Sequence, residues 1–187
     1  MSTSAPALAR TANTATAVNS EAAAPRFDPL DLRKALGQFP QGVVAIAAEV
    51  QENPEVLVAS SFTVGVSLEP ALVTVAVQHT SATWPKLRDE ATHLGVSVIG
   101  REQCHVARQL ASKDRAGRFE GVGRSVDGDG AIVLEGSPLW FKTRIFSQFT
   151  AGDHDIAVLE ILDLGFDEDA QGLVFHQSQF KELNPLL

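Results

Sequence analysis

The chain has 187 residues and a mass of 19.9 kDa, with 15 Lys and Arg against 23 Asp and Glu, a formal charge of −8. That length fits one domain with a substantial core. The acidic balance argues against a nucleic-acid binder or a polybasic membrane-surface protein.

Residues 1–25 are rich in Ala, Thr and Ser. They lack the basic start and compact apolar stretch of a secretory signal, so a disordered arm is expected there, with one domain over 26–187. Asp28 is a good N-cap, and Pro29 suits the first helical position. Leu32, Leu36 and Phe39 follow at i, i+4 and i+7, one apolar helix face, until Pro40 and Gly42 stop the helix. Strands are expected over 43–49, 56–61 and 72–77, with a turn at Glu52-Asn53-Pro54. The segment around Gly65 leaves the β pattern.

A helix is expected over 81–90, with Pro85 in its first turn, where proline is tolerated. A strand over 94–99 and a helix over 102–112 follow, the latter with Val106 and Leu110 on one face. Residues 116–123 read as a loop and Asp127-Gly128-Asp129-Gly130 as a turn. Two long strands, 139–149 and 154–166, flank the turn Ala151-Gly152-Asp153. A last strand covers 173–176. Six or seven strands interrupted by two or three helices predict a β-barrel with helices packed outside, not a doubly wound parallel sheet.

Charge is uneven along the chain. Residues 86–124 hold 8 basic and 5 acidic side chains, net +3, whereas residues 125–187 hold 3 and 11. The basic segment is either solvated surface or the seat of a small anion. Cys104 is the sole cysteine, which excludes an intramolecular disulfide and a Cys-rich zinc site. No apolar run approaches the ~20 residues of a membrane span. A cytoplasmic protein is expected.

Several motifs are missing: the phosphate-binding Gly-rich loop, G-x-G-x-x-G, G-x-S-x-G and H-E-x-x-H. No metal site is expected. Cys104 and His105 are neighbours on a helix, so their side chains diverge and form no nucleophile pair. Three segments remain. Ala59 to Pro70 clusters the hydroxyls of Ser60, Ser61 and Thr63. It can present them to a polar ligand edge, or it is a serine-rich strand end. Gln78 to Arg88 joins a strand to a helix; its start is a phosphate seat or simply a well-capped helix. Gly152-Asp153-His154-Asp155 flanks a histidine with two carboxylates, a setting that favours the charged imidazole, unless it is a polar turn without a task.

Together these segments resemble the short-chain flavin reductase family, the FMN-binding split-barrel proteins, from about Phe27 to Leu183. The matching stretches are Leu32 to Val43, Ser60-Ser61-Phe62-Thr63 leading to Val66-Ser67-Leu68-Glu69-Pro70, Ser81-Ala82-Thr83-Trp84, Arg118-Phe119-Glu120-Gly121-Val122 and Gly152-Asp153-His154. The resemblance implies a mainly β fold, a six-stranded antiparallel Greek-key barrel with flanking helices, usually a homodimer. It implies FMN or FAD as cofactor, NADH or NADPH as co-substrate, and a flavin-dependent monooxygenase as partner.

By the same resemblance, Ser60, Ser61, Phe62 and Thr63 line the isoalloxazine. Gln78, Ser81, Thr83 and Trp84 hold the ribityl and phosphate side. Ser112, Lys113, Arg118 and Phe119 close over the flavin, and Pro40, Gln41 and Gly42 form the pocket rim. Lys86, Lys113 and Arg118 are expected to face the pocket or its entrance. His154 is the one catalytic residue implied, facing the nicotinamide. Hydride passes from nicotinamide C4 to flavin N5 across stacked rings at about 3–3.5 Å, so no acid–base dyad is required. Val64-Gly65 holds one residue more than the commonest family form, and the C-terminal strand has Phe175 and His176 where the family often has Tyr. A flavin-binding protein without reductase activity and a flavin-free member of the fold are the alternatives.

Overall fold

A computed structural model describes residues 26–184; the expected N-terminal arm lies outside the described residues. Helix α1 (Pro29–Leu36) begins as its sequence predicts. The Asp28 carboxylate accepts from the Leu30 and Asp31 amides at 2.8 and 3.3 Å. Its apolar stripe, however, is not packed on the domain: Leu32, Leu36 and Phe39 are 42, 63 and 69% exposed.

The β framework follows as β1 (Gln41–Gly42), β2 (Val44–Val50), β3 (Asn53–Ala59), β4 (Phe62–Leu68) and β5 (Ala71–Gln78). Next come α2 (Trp84–Glu90), β6 (Leu94–Val98), a 3₁₀ turn (Arg101–Gln103) and α3 (Cys104–Leu110). The chain ends with β7 (Arg124–Val126), β8 (Ile132–Leu134), β9 (Leu139–Ala151), β10 (His154–Phe166), β11 (Leu173–His176) and β12 (Gln179–Glu182). All seven expected strands are present, joined by the seven-residue β4 and four short ones. Among the described residues no helix is long and apolar enough to cross a membrane.

Seven strands form one antiparallel sheet in the order β3-β2-β6-β9-β10-β5-β4. Its inner side chains belong to a single cluster that takes in Leu57 and Ala59 of edge strand β3, Phe62 of the other edge strand β4, and Trp84 and Leu87 of α2. Both edges therefore wrap one core. The fold is the expected mainly β one with flanking helices; its main sheet has seven strands where six were expected, and no ladder joins β3 to β4 among the described residues. The second core lies on the other face of β2. Strand alternation sends Val44, Ile46 and Ala48 inward and Val43, Ala45 and Ala47 outward, against α3, β8 and β11. That two-sided burial explains the nearly unbroken apolar run of β2.

Two local features differ from expectation for physical reasons. The segment around Gly65 does not leave the sheet. Thr63 pairs with Thr74 and Ser67 with Leu72, so three residues bulge opposite one, with Gly65 at φ +72°. The additional residue is absorbed there, leaving Val64 and Val66 exposed. The β2–β3 turn is also tighter than expected. Gln51 and Glu52 form a two-residue connection with φ of 50° and 64°, left-handed values that glycine or asparagine usually supplies. Gly95 is obligatory for a different reason. Strand β8 passes over it, and a Cβ there would collide with the Ile132 backbone.

Candidate functional site

The site residues fall into three neighbouring groups. The first lies where β5 ends, α2 begins and the β9–β10 hairpin turns. Antiparallel register sets His154 opposite Gln78 on β5 and opposite Ala151 on β9. His154 Nδ1 lies 2.7 Å from the Asp153 carboxylate. Adjacent strand residues face opposite ways, so Asp155 does not join that pair. It accepts instead from Thr150 Oγ1 at 2.9 Å and Gln148 Nε2 at 3.0 Å, and lies 3.1 Å from His79 Nε2. The expected histidine between two carboxylates is thus two separate His–Asp pairs. The hydrogen bond from Thr150 holds the Asp155 carboxyl below the ordinary carboxylate value; burial opposes this and His79 adds to it. Asp153 is held low by His154 in the same way.

Asp155 and His79 fall in segments the sequence singled out, but their partners Gln148 and Thr150 do not. Only the two-residue alternation of 148, 150 and 155 about the turn could have grouped them. Gln148 Oε1 also accepts from Trp84 Nε1 at 3.2 Å. Trp84 is itself a core residue at 3% exposure, as is Phe119 at 7%. The Trp84 ring packs into the inner core and the Phe119 ring into the second one.

The first turn of α2 has its own amides taken. Ser81 Oγ takes the Trp84 amide, the Thr83 carbonyl takes those of Lys86 and Leu87, and Pro85 has none. An anion there depends on side chains and on the Ala82 and Thr83 amides just before the helix, which have no acceptor among the described residues. The second group supplies them through Arg118. Its Nε and Nη2 donate to the Ser112 carbonyl at 2.9 and 2.7 Å, and its Nη1 donates to the Val56 carbonyl at 3.0 Å and to Thr83 Oγ1 at 3.4 Å. One guanidinium therefore ties β3, the start of α2 and the segment after α3 together. Its planar fork makes this possible; an ammonium could not span three directions. Arg118 lines a cavity of about 390 Å³ with Lys86, Arg115, Glu55 and Glu90. Lys86 is ion-paired with Glu55, whose carboxylate is buried. Lys113 is exposed and outside this wall. The Ser112 hydroxyl donates locally to the Asp114 carbonyl at 2.9 Å.

The third group surrounds the end of β3. Ser61 Oγ donates to the Ala76 carbonyl at 2.6 Å, fixing the Ser60–Thr63 segment against β5. The Phe62 ring packs into the inner core 6.2 Å from Phe141. Ser60 lines a small cleft with Val43 and Phe175, and β1 pairs Gln41 with Phe175 and Gly42 with Val174. Gln41 and Gly42 thus lie beside β11, whose Phe175 shares that cleft with Ser60. Thr63 stands opposite Thr74 and is exposed.

Comparison with known proteins agrees with this architecture. The family described as flavin reductase like domain matches residues 36–184. A flavin reductase of Pseudomonas putida is 31% identical over 166 residues, 88% of this chain and 96% of that protein. The NADH:FAD oxidoreductase SgcE6 of Streptomyces globisporus, solved in complex with NAD and FAD fragments, superposes with a TM-score of 0.78 at 28% identity. That match covers 87% of this chain and 99% of the other. BorF, the flavin reductase component of a bacterial two-component tryptophan halogenase, gives 0.76 at 30% identity, covering 84% and 99%.

Proposed function

The chain belongs to the flavin reductase like domain family, and we propose that within it the protein is an NAD(P)H-dependent flavin reductase acting on FMN or FAD. Arg118 is the observation that carries the site assignment. It draws Thr83, Ser112 and β3 around one cavity that also holds Lys86 and Arg115. Three cations against two carboxylates suit a flavin phosphate. The anchored Ser60–Thr63 segment offers backbone and hydroxyl groups to a ring edge. Val56 and Ser60 stand four strand residues apart, about 13 Å, a span that a ring and its ribityl phosphate can bridge.

Bound flavin supplies the hydride acceptor, and nicotinamide supplies the hydride. The chain's task is placement. His154, held by Asp153 beside Gln78, orients the nicotinamide, while Asp155 and His79 fix the other face of the same hairpin. His154→Ala should raise the KM for NADH about tenfold with FMN affinity unchanged; unaltered KM and kcat would remove this role.

The likeness to BorF supports a separate flavin-dependent monooxygenase or halogenase as the consumer of reduced flavin. Exposed Val64, Val66 and Leu68 on β4 and Leu162, Leu164 and Phe166 on β10 support a homodimer, since monomers rarely expose so much apolar surface. A cytoplasmic location accords with the single reduced cysteine and the nicotinamide pool there. The test is purified protein with NADH or NADPH and FMN or FAD, followed by nicotinamide absorbance. Flavin-dependent oxidation is expected. Flavin binding without oxidation would make the protein a carrier, and no binding would remove flavin from the reading.

A further inference from the structure

We infer that the cleft between α3 and the β11–β12 hairpin is a subsite for an adenosine phosphate. This rests on the flavin reductase reading and goes beyond it, because FMN has no adenosine while FAD and NAD(P)H do. The inner part of the cleft measures about 220 Å³ and is lined by Val43, Val58, Ala107, Ala111, Phe175 and Phe180. Ser60 lies in its wall, so it adjoins the segment assigned to the flavin ring. It is smaller than the roughly 300–1,000 Å³ of a whole small-molecule site, which suits one ring system. Ala107 and Ala111 are one helical turn apart, and their small side chains keep the α3 wall open. The Phe175 and Phe180 rings lie 5.5 Å apart on the facing wall.

The mouth has the opposite chemistry. An outer recess of about 560 Å³ shares Arg108 and Phe180 with the inner one and adds His105, Cys104 and Gln179. The Arg108 guanidinium sits 5.5 Å over the Phe180 ring. Among the described residues no carboxylate lies within ion-pair distance of Arg108, although the chain carries an excess of eight negative charges. Arg118 and Lys86 are committed to protein partners; Arg108 has its hydrogen-bond donors available for a phosphate. An apolar slot for a flat ring next to a free guanidinium is the pattern an adenosine phosphate requires. The Gln179 amide stands at the mouth for the polar ring edge.

The hairpin that carries Phe180 is held in a costly conformation. Gln177 and Ser178 have φ of 52° and 61°, and no glycine relieves them. Backbone of this kind persists where its surroundings fix it, often beside ligands. Here the Gln177 amide donates to the Gly37 carbonyl and its side chain to Gln38, both at 2.8 Å. The hairpin is thereby tied to the stretch that leads into the Pro40–Gly42 rim.

The test uses Ala111→Leu, which fills the slot, and Arg108→Ala, which removes the cation. Affinities for FMN, FAD and ADP are measured by calorimetry, and KM for NADH is compared with that for reduced nicotinamide mononucleotide. Both variants should weaken ADP at least about tenfold and leave FMN affinity and FMN turnover unchanged. If FAD falls toward the affinity of FMN, the adenosine of the flavin occupies the cleft. If instead the KM for NADH rises toward that of the mononucleotide, the adenosine of the dinucleotide does. Unchanged ADP, FAD and NADH would overturn the subsite. So would equal weakening of FMN and FAD, which would put the isoalloxazine there. ADP binding to the wild type that Ala111→Leu abolishes, in a protein that binds no flavin, would keep the subsite and remove the flavin reading.

Discussion

Two recesses flank strand β3, one at its start and one at its end, and they are built on opposite terms. The first is charged, and most of its groups already have protein partners, Lys86 in Glu55 and Arg118 in two carbonyls and Thr83, with Arg115 left unpaired among the described residues. The second is apolar, and its one cation has only a ring beneath it. The first is preorganised at the expense of free donors; the second keeps its donors free. Arg118 lines only the charged cavity, but it holds the carbonyl of Ser112, which follows Ala111 of the apolar wall in the chain.

Arg118→Lys should therefore have the largest effect. An ammonium cannot reach Val56, Ser112 and Thr83 together, so buried acceptors lose their donor. The expected cost is about 1–3 kcal/mol of stability, seen as a lower urea midpoint. FMN affinity should fall more than about tenfold. Retained FMN affinity would mean that the charged recess owes nothing to the guanidinium fork.

Lys86→Met tests the other half of that recess. It leaves the buried Glu55 without its partner and should cost about 1–2 kcal/mol, less than for a fully buried pair because Lys86 is partly solvated. Adding Glu55→Gln should recover most of that stability but none of the FMN affinity lost with the cation. Recovery of both would show that Lys86 serves only the fold.

The two recesses were unequally legible. The charged one was foreshadowed by the +3 segment from Lys86 to Arg124, and the loop hydroxyls near it stood out by type. The partners that define it did not. Arg118 acts through the backbone carbonyls of Val56 and Ser112, which no side-chain pattern encodes. Trp84 and Phe119 sit in matching stretches yet spend their rings on the core. Strands with unbroken or alternating apolar residues, such as β2 and β10, were readable from periodicity. β7, β8 and β12 were not: they are three or four residues long, lack the apolar run that made the equally short β11 readable, and exist by pairing with a neighbour. The apolar recess was invisible for the same reason: α3 and the final hairpin are about 70 residues apart, and only packing brings Arg108 over Phe180.

Acid should separate the recesses more gently. The segment carrying Arg118 runs into the β7–β8 hairpin, whose tip is latched by Lys142 at 2.7 Å from both Asp127 and Asp129. Burial pushes the Asp127 carboxyl up, but hydrogen bonds from Lys142 and the Ala131 and Asp129 amides overcome it and hold it below its ordinary 3.8. Lys142 also holds Asp129 low. Carboxyls depressed in the folded state contribute stability that is complete above the unfolded value and lost as pH falls through the folded one. Hydrogen exchange in residues 113–134 should therefore rise below about pH 4, with FMN affinity falling before any change at the α3 cleft. Lys142→Met should weaken that pH dependence, leaving the part that the Ala131 and Asp129 amides hold on Asp127; a Lys142→Met protein with the wild-type acid profile would place the latch elsewhere.

The smallest effect is expected at the turn that borders the charged recess. Gln51 and Glu52 hold left-handed backbone without glycine, and the Gln51 side chain donates to Glu90 at 2.6 Å across the cavity. Replacing the pair by Asn-Gly suits the turn geometry and should add about 0.5–1 kcal/mol of stability. If Gln51 is there only to close the hairpin, FMN affinity and turnover stay at wild-type values while the melting temperature rises. If its bridge to Glu90 keeps that carboxylate from opposing the phosphate, the more stable variant binds FMN more weakly. The corresponding turn at Gln177–Ser178 is the control. Asn-Gly there should stabilise equally and leave FMN untouched, because the recess it borders has no carboxylate to restrain.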